Sequence, residues 1–215
     1  MIKGIIFDLD GVLVSTDEMH YQAWKRLAEE LGITGFNKED NRRQRGVSRM
    51  ASLEIVLEKS DKIYSEEEKI ELADRKNNYY LELLESMDDS AVLEGVKEVL
   101  QQLKEKGVLL AIGSASKNAP VILEKTGLLP YLDKISCGLD TTKSKPDPEV
   151  FLVAAKKLEL SPEECLVVED SAAGIEAAKA GNMASLGVGP FFNALGADFR
   201  AEGLCKVTDW EPILA

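Results

Sequence analysis

Cysteine and histidine are both scarce in this chain of 215 residues. The three cysteines, Cys137, Cys165 and Cys205, lie far apart and form no C-x-x-C motif. A disulfide framework or a zinc site is therefore not expected, and a reducing cytoplasm is the expected compartment. The single histidine, His20, argues against a Ser-His-Asp hydrolase, although one histidine would be enough to build such a triad.

Positively charged residues are scarce as well. Lysines and arginines number 26 against 38 aspartates and glutamates, which gives a formal net charge of −12 at pH 7. Proteins that bind nucleic acid or anionic membranes generally need a basic field, so neither is expected as a partner. An anionic substrate must instead be held by a local cluster of cations or by a metal ion.

Long apolar runs are absent too. No run approaches the roughly 20 residues of a membrane-spanning helix, and Asp8 and Asp10 interrupt the N-terminal apolar stretch too early for a signal-peptide core. The hydrophobic share of 45% and the charged share of 30% are ordinary for globular proteins, which excludes a disordered chain. We therefore expect a globular protein, and a cytoplasmic monomer is the expected state.

Short apolar segments alternate with helical patterns along most of the chain. Strands are predicted near residues 2–7, 108–112, 134–137, 165–168 and 184–188. Strands that alternate with helices indicate βαβ units and a parallel sheet. Residues 16–90 contain helical periodicity and no convincing strand. The sequence thus predicts an α/β fold, with a Rossmann-like parallel-sheet core formed by residues 1–15 and 91–215 and an α-helical cap domain, residues 16–90, inserted after the first strand.

Polar side chains follow the predicted strands at the point where each strand ends. They are Asp8 and Asp10 after the first strand, Ser114 after the second, Lys145, and Glu169 with Asp170 after the fourth. Any one of them alone is more simply a turn or capping residue. Ligands of open α/β sheets bind outside the carboxyl ends of the strands, however, and the combination of carboxylates, a hydroxyl and an ammonium is hard to explain by turns.

This set of residues favours phosphoryl transfer. Carboxylates gathered in one place repel each other unless a hard cation such as Mg²⁺ neutralises them. Phosphoryl transfer depends mostly on positioning and on charge neutralisation, which a metal, a lysine and a hydroxyl supply. Asp8 is the predicted nucleophile, since a carboxylate is ionised at neutral pH, and Asp10 is placed to give and take a proton.

Four motifs resemble those of the haloacid dehalogenase superfamily: Asp8-Leu9-Asp10-Gly11, Ser114, Lys145-Pro146, and Glu169-Asp170 followed by Gly174. The resemblance covers essentially the whole chain. It implies that Asp8, the main-chain carbonyl of Asp10, and the pair Glu169 and Asp170 hold Mg²⁺. It also implies that Ser114 and Lys145 bind the transferring phosphoryl group. Most members are phosphatases and a few are mutases or dehalogenases; the charged Asp10 argues against a dehalogenase.

A basic island interrupts the otherwise acidic cap at Arg42, Arg43, Arg45 and Arg49. For Arg42 and Arg43, a solvated helix face with surface ion pairs is an equally good interpretation. The segment 46–49 is better explained by function. Gly46 permits close backbone approach, Ser48 can cap a helix, and Arg49 in a first helical turn can share an anion with backbone amides.

The cap resembles that of the superfamily's mutases that interconvert β-D-glucose 1-phosphate and β-D-glucose 6-phosphate. The resemblance implies that Arg49 and the Gly46-Val47 backbone hold the phosphate that is not transferred, with Lys117 and Asn118 contributing. The implied substrate-binding residues are Thr16, His20, Arg45, Gly46, Val47, Ser48, Arg49, Ser52, Lys76, Ala115, Ser116, Lys117 and Asn118. The resemblance also implies that the small-molecule partner is a sugar phosphate, converted through an aspartyl phosphate and glucose 1,6-bisphosphate.

Two departures and several alternatives accompany this hypothesis. Arg45 stands where lysine is expected and Ser15 where aspartate is usual. His20 could be a packing histidine and Lys76 a solvated lysine. A Mg²⁺-dependent sugar-phosphate phosphatase that uses the same Asp8 is the alternative enzyme. A non-catalytic binding protein on this fold would be expected to have lost one of the reacting residues, and none is lost.

Overall fold

The computed structural model describes all 215 residues, and contacts within the chain divide it into two compact units. The sheet unit comprises Met1–Ser15 and Asp88–Ala215, and the helical unit comprises Thr16–Met87. The sequence prediction placed the second boundary at residue 90. Residues after Met87 join the sheet unit because the Ser15 amide donates to the Ala91 carbonyl at 2.8 Å and the Leu93 amide donates to the Leu13 carbonyl at 2.9 Å.

The elements follow one another in an order that starts with a strand, continues through four helices and then alternates. They are β1 (Gly4–Phe7), α1 (Asp17–Glu30), α2 (Lys38–Arg43), α3 (Arg49–Leu57), α4 (Glu66–Leu84), α5 (Val96–Glu105), β2 (Leu109–Gly113), α6 (Ala119–Lys125), β3 (Lys134–Ser136), α7 (Glu149–Lys157), β4 (Cys165–Glu169), α8 (Ala172–Ala180), β5 (Ala184–Gly187), β6 (Phe199–Arg200) and α9 (Glu211–Leu214). Short 3-10 helices lie at Asp89–Ala91, Leu129–Tyr131, Pro162–Glu164 and Leu204–Lys206. None of these helices is both long and apolar enough to span a bilayer.

A six-stranded sheet in the order β3-β2-β1-β4-β5-β6 forms the centre of the sheet unit. Every neighbouring pair is parallel, so all the strands end at the same edge of the sheet. The strands β1 and β4 are buried along their whole length, which explains their continuous apolar sequence. The predicted α/β fold is confirmed. The strand β6 was not predicted, because two residues are too few to show the alternating pattern of a strand.

Apolar side chains between the sheet and its helices hold the sheet unit together. One cluster joins Ile6, Val167 and Phe151 with small residues such as Ala154 and Ala177. A side chain of this kind contributes about 1.5–3 kcal/mol when it is fully buried. The cluster fixes α7 and α8 against the sheet, and it thereby fixes the loops that lead into these helices.

The helical unit has its own apolar core. Trp24 and Leu27 of α1 pack with Leu53 of α3 and Leu72 of α4. The helix α3 begins at Arg49, and the Ser48 hydroxyl accepts a hydrogen bond from the Ala51 amide at 3.2 Å. This arrangement confirms the predicted cap.

Candidate active site

The carboxyl ends of β1 and β2 place two of the predicted residues. Asp8 follows β1 directly, and its amide donates to the Val168 carbonyl at 2.9 Å. Ser114 follows β2, and its amide donates to the Ser136 carbonyl at 3.1 Å. Both backbones thus continue the sheet pairing by one residue, which fixes the main chain at the points where the two side chains leave it.

Lys145 reaches this edge from the loop between β3 and α7. Its Nζ lies 2.6 Å from Asp8 Oδ1 and 2.6 Å from Glu169 Oε1. The Lys145 and Glu169 side chains are fully buried, and Nζ lies 4.7 Å from the centre of the Phe151 ring. The ammonium therefore joins the ends of β1 and β4 and is shielded from water on its apolar side. No sequence signal had pointed to Phe151.

The charges in this group shift one another's pKa values. Burial raises the pKa of Asp8 to about 7; Lys145 opposes the rise, and Glu169 and Asp10 add to it. Burial alone would lower the pKa of Lys145, but the carboxylates of Asp8 and Glu169 outweigh it and raise that pKa. Lys145 therefore carries its charge throughout the neutral range.

Glu169 is occupied on both oxygens by protein donors. Its Oε1 accepts from Lys145, while Oε2 accepts from the amides of Asp170 and Ser171 and from the Ser171 hydroxyl, each at 2.9 Å. The Ser171 hydroxyl in turn accepts from the Gly174 amide at 3.1 Å and caps α8. The sequence analysis missed Ser171, although a serine directly before a helix is a capping signal.

Asp8, Glu169 and Asp170 form a cluster of oxygen donors. One carboxylate oxygen from each lies within 4.8 Å of the other two. Gly11 has a φ of +86°, and a Cβ at this position would collide with the Asp170 carboxylate, so glycine lets the two segments approach closely. Hard oxygen ligands of this kind fit Mg²⁺. Because Glu169 is already engaged on both oxygens, we expect Asp170 to contribute more to metal binding.

Replacing the two acidic residues separately tests this expectation. Asp170→Asn is expected to weaken Mg²⁺ binding by more than about tenfold, since losing even a group that only hydrogen-bonds a metal ligand typically costs about 10–100-fold. Glu169→Gln is expected to weaken it less. Calorimetric titration with Mg²⁺ measures both, with the exposed Glu124→Gln as the control. An Asp170→Asn protein that binds Mg²⁺ as tightly as the wild type would contradict the assignment.

The loop after β2 carries the next predicted residues, Ala115 to Asn118. The Ser114 hydroxyl accepts from the Ser116 amide and the Ser116 hydroxyl accepts from the Asn118 amide, both at 3.1 Å. These two turns fold the loop back on itself before α6 begins. Lys117 is exposed. The structure therefore gathers Ser114 and residues 115–118 at the same sheet edge as Asp8.

His20 and Lys76 lie together in the helical unit. Lys76 Nζ lies 2.9 Å from His20 Nδ1 and 4.7 Å from the ring centres of both Trp24 and Tyr80. The His20 ring stacks on Tyr80 with centroids 4.1 Å apart. Lys76 is only 3% exposed, so the alternative of a solvated lysine is wrong. Its four-carbon stem is long enough to cross the helix interface and place the ammonium among these rings.

The protonation state of His20 follows from this contact. Burial, with the charges of Lys76 and Arg49 nearby, holds the pKa of His20 well below its ordinary value. A lysine ammonium can only donate, so Nδ1 accepts and the neutral ring carries its proton on Nε2. Thr16, which is buried, accepts from the His20 amide at 3.0 Å through its carbonyl.

The segment 45–49 is held in place by side chains of neighbouring helices. Arg49 Nη2 donates to Asn77 Oδ1 at 2.8 Å, and Arg45 pairs with Asp17. Gly46 has a φ of +71°, a conformation that glycine adopts without strain. Ser52 is buried, and its carbonyl accepts from Gln44 Nε2 at 2.8 Å.

Arg42 and Arg43 make surface ion pairs. Arg42 pairs with Glu39 at 2.8 Å. Arg43 donates to both carboxylate oxygens of Glu58 at 2.7 Å. All four side chains are largely exposed. The interpretation of these two arginines as surface ion-pair residues is confirmed, whereas the side chains of Arg45 and Arg49 are only 23% and 24% exposed.

Comparisons with known proteins agree with this arrangement. A model of the haloacid dehalogenase-like hydrolases matches residues 2–182. The β-phosphoglucomutase of Bacillus subtilis (strain 168) is 40% identical over 218 residues, which cover 98% of this chain and 96% of that protein. A phosphorylated carbohydrates phosphatase of Thermotoga maritima is 32% identical over 181 residues, which cover 83% and 81%. The crystal structure of β-phosphoglucomutase from Clostridium difficile matches with a TM-score of 0.91 and 38% identity, covering 99% of this chain and 96% of the other.

Proposed function

The chain belongs to the haloacid dehalogenase-like hydrolase family, and we propose that within this family it is a Mg²⁺-dependent sugar-phosphate mutase. It is an enzyme and a homologue of β-phosphoglucomutase. In the proposed reaction it acts as an isomerase on β-D-glucose 1-phosphate and β-D-glucose 6-phosphate, through a phosphorylated Asp8 and glucose 1,6-bisphosphate. A sugar phosphate is the expected small-molecule partner, and a cytoplasmic monomer remains the expected state.

The buried contact between Asp8 and Lys145 is the observation that carries the proposal. The Asp8 carboxylate is the proposed nucleophile: one of its oxygens attacks the phosphorus of the donor, and the bond between phosphorus and the sugar oxygen breaks. Lys145 and Ser114 are proposed to hold the phosphoryl oxygens. The ammonium balances the negative charge that these oxygens bring to a site rich in carboxylates.

Asp10 is proposed to move the proton that each transfer requires. When the phosphoryl group goes to Asp8, Asp10 protonates the departing sugar oxygen. When the phosphoryl group returns to a sugar hydroxyl, Asp10 takes the proton of that hydroxyl. Asp10 follows Asp8 by two residues, and it is close enough for its charge to raise the pKa of Asp8.

Mg²⁺ is the proposed cofactor. Asp8, the main-chain carbonyl of Asp10, Glu169 and Asp170 are the residues proposed to hold it, and the clustered carboxylates support this assignment. When bound, the ion supplies positive charge to the oxygens of the transferring phosphoryl group.

A mutase needs a second anion site, because the bisphosphate must also be held by the phosphate that is not reacting. Arg49 with the backbone of Gly46 and Val47 is proposed to provide it, and Lys117 and Asn118 are proposed to contribute. The other residues proposed to bind substrate are Thr16, His20, Arg45, Ser48, Ser52, Lys76, Ala115 and Ser116. The identity of 40% over 98% of the chain favours the mutase. The identity of 32% to a phosphatase supports the alternative, in which water attacks the aspartyl phosphate.

A product assay separates the two functions. The protein is incubated with Mg²⁺, β-glucose 1-phosphate and a trace of β-glucose 1,6-bisphosphate, and both glucose 6-phosphate and free phosphate are measured over time. For a mutase, glucose 6-phosphate forms faster than phosphate is released. Faster release of phosphate would overturn the mutase in favour of the phosphatase.

Arg49→Ala is expected to weaken the binding of sugar phosphates by about 1.5–3 kcal/mol, the range for a hydrogen bond to a charged group. Hydrolysis of acetyl phosphate is expected to change little, since this small ester has no second phosphate. Steady-state kinetics with both substrates measures the difference. Arg43→Ala is the matched control, because this arginine pairs with Glu58 at the surface. Unchanged efficiency of Arg49→Ala on β-glucose 1-phosphate would contradict the second anion site.

A further inference from the structure

We propose that Asn77 is a positioning residue that orients Arg49 toward the non-reacting phosphate and keeps its charge available, an inference that rests on the proposed function. Arg49 is the first residue of α3, and Asn77 lies on α4. The Asn77 side-chain oxygen accepts from Arg49 Nη2 at 2.8 Å. This is the shortest side-chain contact that fixes the direction of the guanidinium.

The choice of an amide at this position has an electrostatic consequence. An amide oxygen and a carboxylate oxygen accept the same hydrogen bond in nearly the same geometry. A carboxylate at 2.8 Å would also cancel the charge of the guanidinium, whereas an amide leaves it in place for an anion. Asn77 therefore fixes Arg49 without competing with a phosphate for its charge.

A carboxylate is present nearby but at a greater distance. Asp74, one helical turn before Asn77, lies 3.5 Å from Arg49 Nη1, and its side chain is 71% exposed. Solvent screens such an exposed pair, and its contribution is small. The helix α4 thus presents a close neutral acceptor and a distant charged one to the two terminal nitrogens of the guanidinium.

The surroundings of Arg49 are consistent with a site that keeps positive charge. The Arg49 side chain is 24% exposed, and burial lowers its pKa from the ordinary value while Asp74 opposes this effect. The charges of Arg49 and Lys76 both lower the pKa of His20, so the three groups lie within electrostatic reach of one another. The chain as a whole carries a net charge of −12, so a phosphate is expected to bind where positive charges such as those of Arg49 and Lys76 lie near each other.

The decisive variant is N77D, which keeps the size and the acceptor and adds one negative charge. The expected result is a rise of about tenfold or more in the dissociation constant for β-glucose 6-phosphate, measured by calorimetry with Mg²⁺ present, because one tenfold step corresponds to about 1.4 kcal/mol. The free energy of unfolding is expected to stay equal or to increase, since the new carboxylate pairs with Arg49. Acetyl phosphate hydrolysis is expected to remain as in the wild type.

D74N is the matched control, because it removes a charge from the same helix face at the more distant position. It is expected to bind β-glucose 6-phosphate as tightly as the wild type or more tightly. N77A serves as a second variant if N77D does not fold: it loses the orientation but adds no charge, so its loss of affinity is expected to be smaller than that of N77D. A purely structural role would give losses that follow the loss of stability.

The outcomes of this experiment are distinguishable. If R49A loses affinity while N77D binds like the wild type, the role of Asn77 is overturned and the proposed function stands. If neither R49A nor N77D changes affinity, both the role of Asn77 and the second anion site are overturned. If the wild-type protein neither binds nor converts the sugar phosphate, the proposed function fails and the inference fails with it.

Discussion

Asp8→Asn is expected to abolish turnover while the protein keeps its fold. The amide is a poor nucleophile and a poor ligand for Mg²⁺, so turnover is expected to fall by roughly 10⁴-fold or more, the scale found when a reacting group is removed. The fold is expected to persist because Lys145 retains its contact with Glu169 at 2.6 Å. Incubation with a radiolabelled phosphoryl donor is expected to label the wild type and not the variant.

A stability measurement and a control variant accompany this prediction. The free energy of unfolding of Asp8→Asn shows whether lost activity reflects lost structure. Asp89→Asn serves as the control, since the Asp89 side chain is exposed at the surface of the sheet unit and pairs with Lys97 at 3.3 Å. Appreciable residual turnover, or labelling of the Asp8→Asn protein, would falsify the covalent mechanism.

Lys145→Ala is expected to slow turnover severely, by roughly 10²–10³-fold, as when a donor that stabilises the transition state is removed. Burial raises the pKa of Asp8 to about 7, and the charge of Lys145 opposes this rise. Removing the ammonium therefore raises this pKa further. The acidic limb of the pH–rate profile is expected to move to higher pH, because a larger fraction of the nucleophile is protonated at any given pH.

The stability of Lys145→Ala is expected to depend on pH with a definite sign. Removing one partner of a buried ion pair typically costs about 3–5 kcal/mol, because the other charges remain buried without compensation. The folded-state pKa of Asp8 in the variant lies above its unfolded value, so folding is favoured at low pH and is weakened as the pH rises through the folded-state pKa. Denaturant unfolding at several pH values measures this dependence.

Lys143→Ala is the matched control for Lys145→Ala. Lys143 precedes Lys145 by two residues in the same loop, and it pairs at the surface with Asp147 at 3.2 Å. The pH–rate profile of this control is expected to match that of the wild type. A Lys145→Ala protein whose profile also stays in place would show that Lys145 does not tune Asp8.

The sequence alone predicted the parallel sheet, because a buried strand has a continuous apolar sequence and can be recognised without knowing which strands pair with it. It also predicted that Asp8, Ser114 and Asp170 follow strands, since a strand ends where its apolar run ends. The cap of α3 at Ser48 was predictable for the same reason: capping depends on residues a few positions apart. These properties depend on local sequence patterns.

Which charged side chains contact each other depends on the tertiary structure. Lys145 and Asp8 are 137 positions apart, and no local pattern indicates that they touch. Lys76 looks like a solvated lysine in its own helix, which also carries Tyr80, and only the packing of α1 against α4 brings it to Trp24 and His20. Arg49 and Asn77, which are 28 positions apart in the chain, are likewise brought together by the packing of their helices. Chain order determined the fold class and the residues at the strand ends, whereas burial and charge pairing arise only when distant segments pack.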